Sequence, residues 1–171
     1  GGVPCRIYTP VAGPAATVLY LHGGGFVVGG LDSHDPVCAE LAAATGLRVV
    51  SADYRLAPEH RHPAHFVDAW AATVGAASLW PGPLVMAGDS AGAALAASVT
   101  HKARASGPMI AGQLLIYPGL GGPLDRGSAL THANAPMLTR DDVLFYRACR
   151  YVDGVEPDAD PTATALRDSD F

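Results

Sequence analysis

The stretch PLVMAGDSAGAALAASVT, Pro83 to Thr100, decides how the rest of the chain is read. An apolar run ends at Gly88-Asp89-Ser90-Ala91-Gly92, and an alanine-rich segment follows. One serine among residues this small, where a strand turns into a helix, is the pattern of an exposed nucleophile. Such a turn is strained, and the residues two before and two after the serine must be small or they strike the neighbouring strand and helix. Gly88 and Gly92 meet that demand. The Ser90 hydroxyl then projects above the sheet, and the helix N-terminus adds partial positive charge where an oxyanion forms. An N-cap role alone explains a serine but not both glycines.

Working outward, strand and helix patterns alternate. Val3–Pro10 (VPCRIYTP), Ala16–His22 (ATVLYLH), Leu47–Tyr54 (LRVVSADY), Pro83–Gly88 and Met109–Pro118 (MIAGQLLIYP) read as strands. Asp35–Gly46 reads as a helix with Val37, Leu41 and Ala44 at helical spacing and Gly46 as its stop. Pro63–Ala77 is a helix with Pro63 in its first turn and Phe66 and Trp70 on one face. Ser90–Ala105 is the third. A last helix begins near Thr139, a good N-cap, with Asp141 and Asp142 at the positive end of its dipole. Several strands are apolar at most positions, which suits a parallel sheet covered on both faces. The expected class is therefore α/β, with ligand chemistry at the carboxyl ends of the strands. From Pro118 to Phe171 no strand is expected.

The second chemical piece is LHGGGFVVGG, Leu21 to Gly30. Glycines let backbone amides approach a ligand closely. A tetrahedral acyl-transfer intermediate needs two or three such donors. The amides of Ala91, Gly24 and Gly25 are the expected ones, with Gly23 shaping the turn and His22 supporting it. A phosphate loop fails on spacing, because Val28 stands where GxGxxG needs glycine and no GK[ST] follows. In DYRLAPEH, Asp53 to His60, Arg55 and Glu59 form either a loop-holding pair or a solvated one of little consequence. His60, His62 and His65 match no standard zinc spacing and are expected to be plain loop residues, so no metal or cofactor is expected. Asp89 is expected to hydrogen-bond locally at the helix start. Phe26 either lines the acyl site or packs.

Composition sets the limits. The 171 residues, 49% hydrophobic and 16% charged, are those of one globular domain. The net charge of −5, with 11 Lys and Arg and no basic cluster, argues against a nucleic-acid surface. No apolar run approaches the ~20 residues of a membrane span. Cys5, Cys38 and Cys149 are odd in number and far apart, so they are expected as buried thiols in a reducing compartment, with the cytoplasm the expected location. The chain opens Gly1-Gly2-Val3, without an initiator Met or a charged-then-apolar leader.

HGGGF, DYRLAPEH, GDSAGA and QLLIYP, in this order, resemble the hormone-sensitive-lipase-like esterases of the α/β-hydrolase superfamily, most of all the bacterial branch with the GDSAG turn. LTRDDVLFYRACRYV is similar to a helix of their cap. The resemblance runs from about Arg6 to Phe171. It implies an α/β-hydrolase fold with residues 118–155 as a cap-region insertion, and a cofactor-free carboxylic ester hydrolase for short or medium acyl chains. It implies Ser90 as nucleophile, an oxyanion hole from Gly23, Gly24, Gly25 and Ala91, and His22, Gly88, Asp89 and Gly92 as motif support. Two departures stand out. Ala93 replaces the second glycine of the serine turn, and the strands that carry the family's acid and histidine are expected to lie beyond residue 171. His132, with Asp125 ahead of it, preserves the family's chain order but lacks a strand to aim it, and His101, about three turns down the helix that Ser90 opens, is expected to point away from the hydroxyl. An inactive, truncated enzyme domain is the expectation, with IAGQLLIY as an exposed, self-associating sheet edge. A small-molecule receptor that kept the site and lost the histidine, or one half of a hetero-oligomer, are the alternatives.

Overall fold

The computed structural model describes residues 2–10, 13–152 and 160–167. Five strands form one sheet: β1 (Cys5–Tyr8), β2 (Thr17–Leu21), β3 (Arg48–Ala52), β4 (Leu84–Asp89) and β5 (Ile110–Ile116), in the order β1-β3-β2-β4-β5. β1 runs antiparallel to β3 with Cys5 opposite Ala52, and the other pairings are parallel. Leu21 stands opposite Ala52 on one side and Gly88 on the other. The residues that follow β2, β3 and β4 therefore emerge at one edge, where this class of sheet places its chemistry.

The helices are α1 (Asp35–Thr45), α2 (Ala64–Leu79), α3 (Ser90–Ser106), α4 (Ser128–Thr131) and α5 (Arg140–Arg150). α4 and a 3-10 turn at Ala165–Arg167 fall in segments with no periodic pattern, and a single turn leaves no period to read. Gly46 ends α1 in the left-handed conformation, φ 69°, and donates to Ala42 O at 2.9 Å. Thr139 caps α5 in a reciprocal box: Asp142 N–H donates to Thr139 Oγ1 at 3.1 Å, and Thr139 N–H donates to Asp142 Oδ2 at 2.8 Å.

β2 is buried at every position, so it reads as a continuous apolar run while still alternating between two cores. Leu19 and Leu21 face α2 and α3 and pack with Phe66, Met86, Leu95 and Val99. Val18 and Tyr20 face α1 and pack with Cys38 and Ala42. The buried stripe of α1 is thus Cys38 and Ala42, and Val37 is exposed. Leu41, one of the residues whose spacing marks the helix, packs at the edge of that core. Of the three thiols only Cys38 is buried; Cys5 is exposed and Cys149 half-buried.

Arg55 does not pair with Glu59. It forks onto Asp68 of α2, donating from Nε to Oδ2 at 2.8 Å and from Nη2 to Oδ1 at 2.7 Å, while its own backbone N–H adds a bond to Oδ2 at 2.9 Å. A carboxylate one turn into a helix is a fixed target, whereas Glu59 lies in the same exposed loop as Arg55. Burial pushes the Asp68 carboxyl up, but the bonds from Arg55 outweigh it and hold it below the usual carboxylate range. A depressed carboxyl contributes stability above its unfolded-state pKa and loses it as pH falls through the folded-state value. Asp68→Asn is therefore expected to lower the urea midpoint at pH 7, and the gap from wild type should close below about pH 4.

Candidate active site

Ser90 opens α3 with φ 51°, a left-handed conformation that costs a non-glycine residue about 1–2 kcal/mol. The reason lies in how tightly β4 and α3 pass β2. A Cβ at Gly88 would stand 2.5 Å from Leu21 O and 2.7 Å from the Gly92 carbonyl carbon, and one at Gly92 would strike Leu21 O and His22 O. Neither glycine has positive φ, so both are present for close approach and not for backbone freedom. Ala93 is fully buried, and its methyl is accommodated in the core.

Asp89 joins the serine turn to the glycine loop. Its Oδ1 accepts from Tyr20 Oη at 2.9 Å and from Gly23 N–H at 3.0 Å, and lies 3.2 Å from His34 Nε2. It makes no capping bond to α3, contrary to the local role expected of it. The partners come from β2 and the loop after it, which sequence adjacency does not reveal. This bond also changes the part played by Gly23. Its amide is taken by Asp89, which leaves Gly24 and Gly25 as the loop's open donors. Their N–H groups make no hydrogen bond among the described residues. Ala91 N–H, in the first turn of α3, has no intrahelical acceptor either.

The glycine loop is supported from beneath. His22 is buried and stacks on Tyr54, ring centroids 4.3 Å apart and 9° from parallel. Its Nδ1–H donates to Gly23 O at 2.7 Å, and burial lowers its pKa, so the ring is neutral. Tyr54 Oη donates to His22 O at 2.6 Å, and Ala57 N–H donates to Phe26 O at 2.8 Å. The DYRLAPEH loop thus braces the glycine loop. The signal for this role in the sequence is Tyr54 itself, a lone aromatic between the charged Asp53 and Arg55.

A cavity of about 260 Å³ opens beside Ser90. Gly25, Phe26 and Ala91 line it together with α5, which contributes Val143, Tyr146, Arg147 and Arg150. The ring of Tyr146 sits so close over the loop that a Cβ at Gly25, φ 63°, would come within 2.6 Å of its Cγ. Phe26 both lines the cavity and packs in the core.

The histidine triplet is not a plain loop. His60 is exposed, but His65 is the second residue of α2 and fully buried. Its Nε2 accepts from Arg150 Nε at 3.0 Å. His62 lies 3.3 Å from His65 Nε2 through Nδ1 and 2.9 Å from Asp160 Oδ2 through Nε2. Burial, then the Arg150 charge, pushes His65 down to about 2, so it stays neutral. His62 and His65 anchor the C-terminal end of α5, where His62 N–H also donates to Arg150 O at 2.9 Å. Among the described residues no hydrogen bond reaches Ser90 Oγ, and no cluster of His, Cys, Asp and Glu stands at metal-binding distance. His132 follows α4 and is exposed, and His101 lies far along α3.

A strained serine that shares a cavity with Gly25 and Ala91 at the carboxyl edge of a mostly parallel sheet is the arrangement of an α/β-hydrolase fold. The chain belongs to the alpha/beta hydrolase fold family, whose sequence profile matches residues 18–171. It is similar to esterase LipI of Mycobacterium tuberculosis, 45% identical over 152 residues, covering 81% of this chain and 47% of that protein. It is also similar to carboxylesterase NlhH of the same organism, 44% identical over 163 residues, covering 90% and 51%. Among solved structures, a bacterial heroin esterase superposes with a TM-score of 0.91 at 32% identity, covering 98% of this chain and 57% of that one. The chain spans about half the length of the curated relatives it matches.

The loop geometry carries a direct expectation. Gly25→Ala must displace Tyr146 and adopt a left-handed conformation, so it should destabilise the chain by about 1–2 kcal/mol in urea denaturation. Tyr146→Ala in the same background should recover part of that loss by removing the clash.

Proposed function

We propose that this chain carries the nucleophile, the oxyanion donors and the acyl wall of a serine carboxylesterase for short- to medium-chain esters. The observation that supports the reading most is the shared placement of Ser90, Ala91 and Gly25 on one cavity, with Ser90 held left-handed. Ser90 Oγ attacks the ester carbonyl carbon, and the oxygen that gains charge is met by the amides of Ala91, Gly24 and Gly25. The alcohol leaves with a proton, and water then releases the acid from the acyl-serine. Phe26, Leu124, Leu138, Val143 and Tyr146 form the apolar wall for the substrate.

In this reading Gly23 acts by fixing the loop, and His22, Gly88, Asp89 and Gly92 shape the site without touching substrate. Residues 118–155 serve as the cap, of which 153–155 fall outside the described residues. The tail from Asp153 onward, read from its sequence as polar and strandless, is described only at 160–167. Three free thiols fit a reducing compartment, with the cytoplasm as the proposed location. No helix among the described residues is long and apolar enough to cross a membrane.

The reaction needs a base, and no described residue offers one to Ser90. Purified residues 1–171 are therefore expected to hydrolyse an aryl butyrate no faster than their Ser90→Ala variant. The whole gene product that carries these residues should turn the ester over, and Ser90→Ala there should lower kcat by about 10³–10⁶. Absence of Ser90-dependent turnover in the whole product would remove the esterase reading.

β5 pairs with β4 alone among the described residues and exposes Leu114. We propose self-association of residues 1–171 through this edge. Sedimentation velocity should show oligomers, and Leu114→Lys should shift them toward monomer. A monodisperse wild-type chain removes this part of the proposal.

A further inference from the structure

The cavity beside Ser90 is lined by two arginines, Arg147 and Arg150, and by no aspartate or glutamate. That is unexpected in a chain whose net charge is −5. Arg150 is the more telling of the two because it is buried, with 9% of its surface exposed. Removing a cation from water costs several kcal/mol unless an anion or a set of hydrogen bonds compensates it. What Arg150 has is only partly compensating. Its guanidinium carbon lies 3.6 Å above the Phe26 ring and 4.9 Å from the Tyr151 ring. Nε donates to neutral His65, and Nη2 donates to Ala163 O at a long 3.4 Å. No ion pair is made among the described residues. Asp160 stands on the far side of the two histidines. The Nη1 amino group makes no hydrogen bond among the described residues.

The Phe26 stacking and the His65 bond hold the guanidinium plane in one orientation. A fixed, desolvated fork of N–H groups is complementary to a planar carboxylate, and burial strengthens such a pair relative to water. We infer that the ester held at Ser90 carries a carboxylate of its own, and that Arg150 on the cavity wall is the residue that selects it. The substrate class is thus an ester bearing a free acid, either the half-ester of a short dicarboxylic acid or the ester of a short hydroxy acid. The inference rests on the esterase reading for the ester group, but the recognition of the anion is a matter of binding alone.

The test is isothermal titration of the Ser90→Ala chain with matched pairs that differ in charge and not in shape. Mono-n-butyl succinate against n-butyl levulinate places the carboxylate on the acyl side; acetoxyacetate against acetoxyacetone places it on the alcohol side. The acid should bind at least about tenfold more tightly than its methyl ketone in one of the two pairs. Arg150→Met should abolish the preference, and Arg150→Lys should restore part of it. A structural role for Arg150 would weaken both members of a pair equally. Equal binding within both pairs in the Ser90→Ala chain overturns the inference, and so does a preference that persists in folded Arg150→Met. Should Arg150→Met not fold, the Ser90→Ala comparison and Arg150→Lys decide. Turnover is not the readout, so discrimination without esterase activity sinks only the esterase reading, and activity without discrimination sinks only this inference.

Discussion

The close passage of the β4–α3 turn against the end of β2 is the constraint on which the site depends. Positions 88 and 92 have no room for a side chain because Leu21 O and His22 O lie against them. That contact brings the carboxyl ends of two neighbouring strands together. Ser90 from one and Gly25 from the loop after the other then share a cavity. It also explains the strained φ of Ser90. The strain is sustained by the packing of α3, whose Leu95, Ala96 and Val99 are buried in the larger core.

Buried polar groups hold the arrangement in register. Asp89, Tyr20 and Gly23 tie β4, β2 and the loop together, and Tyr54 ties the loop to the segment after β3. Each is a long-range bond to a group that would otherwise be buried without a partner, which makes the loop expensive to displace. His22 belongs to this support: stacked and neutral, it lies beneath the loop and not beside the serine hydroxyl. α5 packs over the loop and lines the cavity, with Tyr146 against Gly25 and Arg150 against Phe26. The histidines ahead of α2 and within its first turn hold that helix's end in place. A cluster that reads in sequence as a poor metal site is in fact an anchor for the cavity wall.

Much of this was legible in the sequence. The five strands and four longer helices follow from apolar runs, helical spacing and stop residues such as Gly46. The turn at Ser90 follows from two glycines whose spacing has one steric reason. The contacts that the sequence does not show share a feature: Arg55 bonds Asp68 and not Glu59, Asp89 bonds Tyr20 and Gly23 and not its own helix, and His62 and His65 hold Arg150, so in each case the partner is distant in the chain or lies on another element. Local reasoning favours near neighbours, but a buried charge takes whichever partner the fold brings within reach.

By itself the sequence determined the local choices: which segments extend, which coil, and where a backbone must bend sharply enough to present a hydroxyl. These depend on propensity, periodicity and the size of a few side chains, all of which act within a handful of residues. Only the tertiary structure decided what holds the glycine loop in place, since the partner that claims the Gly23 amide is Asp89, 66 positions away. It alone set the buried Arg150 among the residues that line the cavity beside Ser90. Both outcomes are fixed by contacts between residues tens of positions apart, and the energy of such contacts depends on distance and burial, which no linear pattern records.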